Sequence, residues 1–254
     1  MRRFEGKRLL VTGATSGIGL AGVQRIAREG GEIIATGRDA QRLAQLRTLL
    51  PDNAQVVHND AADTLANDEL VRQVHAGKRL DGLWLNAGHA QVGDVGQVDA
   101  AAFDTMMAAN VRGPVLQLAR LADYLNDGAS VVVTASTSVY EGAAMASLYA
   151  ASKGALVALV RCWASALGER GIRVNTLVPG PIATEFRNFM DEDLRRDFEA
   201  DVVGRLALPR MGSAEEAANV ALFLLSDEAS FVTGSQYLVD GGLVKLWSLI
   251  HVGR

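Results

Sequence analysis

The chain has 254 residues, 49% hydrophobic and 21% charged, enough to bury one sizeable core. A formal net charge of −4 argues against nucleic acid or an anionic membrane as the main partner. The single cysteine, Cys162, rules out an internal disulfide and fits a reducing compartment.

In chain order, the opening MRRFEGKRLLVTG enters a strand almost at once and leaves no room for a signal peptide, so a cytoplasmic location is expected. Short β-rich runs then recur at 8–12, 32–36, 55–58, 80–86, 129–135, 172–178 and 235–239. They are continuously apolar rather than alternating, which predicts strands buried on both faces. Helix-like segments separate them. Over 147–168, Leu156, Leu159, Val160, Trp163 and Leu167 repeat at three- and four-residue spacing. Cys162 lies in this run and is expected to be a buried thiol. Ser213 and Glu216 have the spacing of a capping box ahead of an apolar run to Leu225. Strand alternating with helix predicts one α/β domain over 1–254, a doubly wound, seven-stranded parallel sheet with helices on both faces. The charged segment 185–211 interrupts the alternation after a Pro-Gly-Pro turn. It is read as a helical excursion over one end of the sheet and a candidate substrate lid. No apolar run approaches the roughly 20 residues of a membrane span, and the histidines at 58, 75, 89 and 251 lack metal-ligand spacing, so no metal site is expected.

Two stretches carry chemistry. In LLVTGATSGIGLAG, Gly13, Gly17 and Gly19 bracket Thr15, Ser16 and Ile18 between the first strand and first helix. Glycines there let the backbone approach a ligand, and the helix start presents N–H groups to an anion such as a dinucleotide pyrophosphate. In LYAASKGALV, Tyr149 and Lys153 are four residues apart and share a helix face. A tyrosine titrates near ~10, and an adjacent ammonium favours its anion. A shift of two or three units, each about 1.4 kcal/mol, brings Tyr149 into the range of acid–base catalysis. Alone, the pair also reads as surface packing with a snorkelling lysine. Ser136, thirteen residues before Tyr149 at the end of the fifth strand, can donate a hydrogen bond to a substrate oxygen. Ser138 is the weaker candidate for that role. Tyr140, Glu141 and His89 are candidates to shape the substrate pocket.

Five ordered motifs resemble the classical short-chain dehydrogenase/reductase family over about residues 5 to 244. They are the T-G-x-x-x-G-x-G loop, NAG at 86–88, Asn110 in NVRG, Ser136 with Y-x-x-x-K, and PGPIAT at 179–184, followed by VTGSQYLVDGG at 232–242. The resemblance implies a nicotinamide-dependent oxidoreductase interconverting a small-molecule ketone or aldehyde and an alcohol, with Tyr149 as general acid/base. Lys153 would also hold the nicotinamide ribose, and Asn110 a water linking Lys153 to solvent. Asp60 and Ala61 would border the adenine, and Asn86, Ala87 and Gly88 the adenosine side. Pro179, Gly180, Ile182 and Thr184 would line the cofactor, the last two meeting the nicotinamide carboxamide. NAD-preferring relatives carry an acid at the position of Gly37, whereas here Arg38 follows, suited to a 2′-phosphate. NADP(H) is therefore expected over NAD(H), with the neighbouring Asp39 free to cap the next helix.

The chain also resembles 3-oxoacyl-(acyl-carrier-protein) reductases. Yet segment 185–205 holds seven acids and four bases, a poor match for an acidic carrier. A cofactor-binding sensor or scaffold without turnover is the alternative of another class; the presence of Ser136, Tyr149 and Lys153 together weighs against it. The family further implies a homotetramer. In it the 147–168 helix and a neighbour at about 101–124 pair across a dimer, and the apolar GGLVKLWSLIHV is buried against another subunit.

Overall fold

The computed structural model describes residues 2–185 and 191–244. The seven apolar runs become β1 (Arg8–Val11), β2 (Glu32–Gly37), β3 (Gln55–His58), β4 (Leu80–Leu85), β5 (Leu125–Thr134), β6 (Arg173–Pro179) and β7 (Gln236–Val239). All pair in parallel in the order β3-β2-β1-β4-β5-β6-β7. Every residue of β1 and of β6 is buried, as strands covered on both faces require.

The helices are α1 (Gly17–Arg28), α2 (Ala40–Leu49), α3 (Thr64–His75), α4 (Ala100–Met107), α5 (Gly113–Leu121), the one-turn α6 (Ser138–Glu141), α7 (Ser147–Leu167), α8 (Glu192–Arg205) and α9 (Ala214–Leu225). On one face Leu70 of α3, Leu118 of α5 and Leu156 and Val160 of α7 pack on Leu10, Leu83 and Val131. On the other, Val23 and Ile26 of α1, Leu46 of α2 and Leu222 of α9 pack on Leu9, Val11 and Trp84. Strand order reverses between β1 and β4, so a ligand crevice opens at the carboxyl ends of these strands.

Most local expectations hold. The capping box at Ser213 and Glu216 is present in both directions. The lid segment contains helix α8, while its residues 186–190 lie outside the described residues, as does most of the C-terminal stretch GGLVKLWSLIHV. Three expectations change. Cys162 is exposed. The buried stripe of α7 runs through Leu156, Val160 and Ala164, and at about 100° per residue Cys162 falls roughly 200° beyond Val160. The helical stretch Ala144–Arg170 contains an 18-residue window of mean hydropathy 1.2 and so does reach the length and apolarity of a membrane span. Its stripe nonetheless packs on the sheet, and it carries the buried Lys153. The helix read at 101–124 is two helices joined by a π-helical turn, Ala108–Arg112. Pro114 at the start of α5 has no N–H to reach the Asn110 carbonyl in α-helical register, and the turn widens there.

Candidate active site

The glycine loop is shaped by what it touches. Gly13 has φ +63°, and a Cβ there would stand 2.8 Å from the Ala87 Cα. The loop thus lies directly on the NAG segment after β4. Thr12 Oγ1 accepts from the backbone N–H groups of Asn86 and Ala87, both at 3.0 Å. The Asn86 amide donates to Gly13 O at 3.1 Å, and its Oδ1 accepts from Thr134 Oγ1 at 3.0 Å. Each end of that side chain thus makes one bond that braces β1, β4 and β5, and so sets the position of the loop.

Ser16 is the N-cap of α1 and makes no side-chain capping bond, whereas Asp39, Asp63, Asp99 and Ser213 all cap their helices. Gly17, Ile18 and Gly19 form the first turn of α1, whose N–H groups receive no cap from the Ser16 side chain. From the opposite wall Thr184 closes on this turn, since a Cβ on Gly17 would stand 3.1 Å from Thr184 Cγ2. Pro179 ends β6, Gly180 lies against Asp240, and Ile182 is buried in a bridge to Gly212.

At the adenosine end, a Cβ on Gly37 would fall 2.4 Å from Thr15 Cγ2, so a side chain there requires the Thr15 side chain to shift. Arg38 is exposed, and Asp39 accepts from Arg42 N at 2.8 Å as the cap of α2. Asp60 Oδ1 accepts from Ala62 N at 2.9 Å, and Ala61 is buried behind it. His89 lies close enough to Arg38 and Asp60 for their charges to act on it. Partial burial and then the nearby Arg38 lower its pKa, with Asp60 opposing.

The reacting end lies on α7 and the π turn. Lys153 is 2% exposed, and its Nζ donates to Thr134 O at 3.0 Å and stands 5.9 Å from the centre of the Tyr149 ring. Burial pushes its pKa down to about 8, because a low-dielectric surround disfavours the charged form. At neutral pH the ammonium still predominates. A Cβ on Gly88 would come 3.1 Å from Lys153 Nζ and 3.5 Å from Asn110 Oδ1, so these segments converge.

Asn110 is fully buried. Its Nδ2 donates to His89 O at 2.8 Å and Ser152 Oγ at 2.9 Å, and its Oδ1 accepts from His89 N at 2.7 Å. Ser152 Oγ in turn donates to Tyr149 O at 2.7 Å. Asn110 thereby clamps the loop after β4 to the catalytic helix. Neither Ser152 nor Thr134 was singled out from sequence; an unremarkable serine and a strand-end threonine give no signal there. Ser136, just beyond β5, is half-buried, and its Oγ accepts from Ser138 N at 3.2 Å, leaving its O–H to donate. Ser138 Oγ is buried without a hydrogen-bond partner among the described residues. Tyr140 is exposed and donates to Gln236.

What this crevice assembles belongs to the nicotinamide-dependent oxidoreductases. The family model described as enoyl-(acyl carrier protein) reductase matches residues 13–244. The chain is 33% identical to the 3-oxoacyl-(acyl-carrier-protein) reductase of Thermotoga maritima, over 95% of this chain and 99% of that one. Among solved structures, a short-chain dehydrogenase/reductase from Serratia marcescens superimposes with TM-score 0.88 at 32% identity, covering 95% of this chain and 99% of that one. A blue fluorescent protein from a metagenomic library, in complex with NADPH, gives TM-score 0.87 at 32% identity with the same coverage. The chain belongs to the classical short-chain dehydrogenase/reductase family, and is an oxidoreductase acting on CH–OH groups.

Proposed function

We propose that the protein is an NADP(H)-dependent oxidoreductase interconverting a free ketone or aldehyde and its alcohol, with Tyr149 as general acid/base. The observation that carries this reading is Lys153, a cation kept dry within reach of the Tyr149 ring. When bound, the nicotinamide supplies or accepts the hydride. Tyr149 gives its phenolic proton to the substrate oxygen as the carbonyl is reduced, and takes it back in the reverse direction. The Lys153 ammonium stabilises the phenolate left behind. Ser136 donates to the substrate oxygen where negative charge develops; the burial of Ser138 Oγ favours Ser136 for this part. With its side chain committed to His89 and Ser152, Asn110 would hold the relay water through its backbone carbonyl, which Pro114 leaves without an α-helical donor.

The choice of NADP(H) rests on three contacts: the crowded Gly37, the exposed Arg38 and the capping commitment of Asp39. A carrier-bound 3-oxoacyl substrate is the second reading, favoured by the Thermotoga maritima relative. The acidic surface of α8 opposes it, since Glu192, Asp193, Asp197 and Asp201 are exposed there. The protein is further read as a cytoplasmic homotetramer.

A panel of free ketones and carrier-bound 3-oxoacyl thioesters, assayed with NADPH and NADH, tests the reading. Free ketones with NADPH are the expected best pair. Arg38→Ala is expected to lower kcat/KM for NADPH about tenfold, the scale of one lost charge-assisted contact, and to leave NADH unchanged. Unchanged preference in Arg38→Ala contradicts the cofactor assignment.

A further inference from the structure

Three amide side chains lie buried behind the loop that follows β3. Asn59, Asn67 and Gln117 are 4%, 0% and 1% exposed. They come from the end of β3, from α3 and from α5. Gln117 Nε2 donates to Asn67 Oδ1 at 2.8 Å and to Asn59 Oδ1 at 3.2 Å, and Asn59 Nδ2 donates to Asn67 Oδ1 at 3.1 Å. Asn67 Nδ2 then donates to Ala61 O at 3.0 Å. Burying amides where apolar side chains could pack costs free energy unless every group is paired. Here the pairing is incomplete, for Gln117 Oε1 has no partner among the described residues. A cluster serving stability alone is poorly explained by that arrangement. Its one outward product is the hydrogen bond to Ala61.

The same loop is held from its other side. Arg112 Nη2, from the π turn, donates to Ala62 O at 3.0 Å. The start of α5 presses so close that a Cβ on Gly113 would stand 2.4 Å from Ala61 O. Asp60 closes the turn by accepting from Ala62 N at 2.9 Å. Side chains from α3 and the π turn and the backbone at the start of α5 therefore fix a stretch of three residues.

We infer that the amide cluster is a positioning device for the adenine half of the cofactor. Asn67, braced by Asn59 and Gln117, fixes the Ala61 carbonyl and so sets Asp60 and Ala61 where the adenine ring is received. The inference rests on the reading of Asp60 and Ala61 as the adenine border. These residues touch neither substrate nor the hydride, so they govern affinity for the adenosine portion and leave the chemical step alone.

The test separates binding from chemistry. KM for NADPH, its Kd by fluorescence titration, the inhibition constant of adenosine 5′-monophosphate and kcat at saturating NADPH are measured with the best carbonyl of the panel. In Asn67→Leu, the KM, the Kd and the monophosphate inhibition constant are expected to rise about tenfold, the effect of one lost hydrogen bond, with kcat within about twofold of wild type. Arg112→Ala alters an exposed side chain on the far side of the same loop. It is expected to shift the same constants in the same direction by about threefold, and it keeps the inference testable should Asn67→Leu not fold. Unchanged affinity in Arg112→Ala and in folded Asn67→Leu overturns the inference, as does a fall in kcat matching the rise in KM. Failure of the monophosphate to compete with NADPH in the wild-type enzyme overturns the adenine reading itself, a different result.

Discussion

Lys153 is a buried cation that donates to the Thr134 carbonyl, its single hydrogen bond among the described residues, an arrangement that stability does not favour. Its pKa falls from 10.5 in the unfolded chain to about 8 in the fold. Because the folded value is the lower, the unfolded chain binds the proton more tightly. The penalty is full below pH 8 and fades as pH rises from 8 to 10.5. Lys153→Met is thus expected to stabilise the cofactor-free protein at pH 7 by up to about 3.5 kcal/mol, at about 1.4 kcal/mol per pKa unit, while abolishing turnover. Denaturant titrations at pH 7 and pH 10 check this, and the gain should shrink at the higher pH. A destabilised Lys153→Met at pH 7 contradicts the argument. At this scale the sequence was readable where spacing constrains chemistry: Tyr149 and Lys153 do share one helix face. It was less readable where a polar side chain has two possible customers. Asn86 braces the loop through Gly13 and Thr134, partners distant in sequence that its position in the motif does not reveal.

Among elements, α9 shows local coding at its clearest. Ser213 and Glu216 close the capping box that their spacing implied. Ser213→Ala is expected to cost about 1 kcal/mol of stability with kcat unchanged, since α9 packs on the sheet face opposite α7. Thermal unfolding with a parallel activity assay checks both parts. The inner strands were legible because burial on both faces demands continuous apolar runs, whereas the edge strands β3 and β7 are only partly buried. β5 was read four residues short because its first turn of chain, Asn126-Asp127-Gly128, is polar and partly exposed, and pairs through an irregular register with β4. The π turn was not legible at all. Pro114 is tolerated at a helix start, and only the packing of Asn110 against His89 and Ser152 shows that two helices meet there.

Over the whole molecule, the glycine loop, NAG, Ser136 and PGPIAT fall at the carboxyl ends of β1, β4, β5 and β6, which are neighbours in the sheet. That is why fold and site were recoverable together. The substrate was not, because its walls come from loops whose shapes depend on tertiary contacts. The exposed face of α7, with Cys162 on it, supports the expected assembly through this helix. Sedimentation at micromolar concentration is expected to give four times the chain mass of 27.0 kDa, with Cys162 reacting with a maleimide more slowly in the assembly than after dissociation. A monomer in solution contradicts that expectation.

The central claim is that Tyr149 moves the proton. It is tested most directly by kcat/KM for NADPH-dependent carbonyl reduction in Tyr149→Phe, with the Kd of NADPH measured on the same preparation. The account predicts a loss of about 10²- to 10⁴-fold in rate with cofactor affinity nearly unchanged; a variant that reduces the carbonyl at close to the wild-type rate would contradict it.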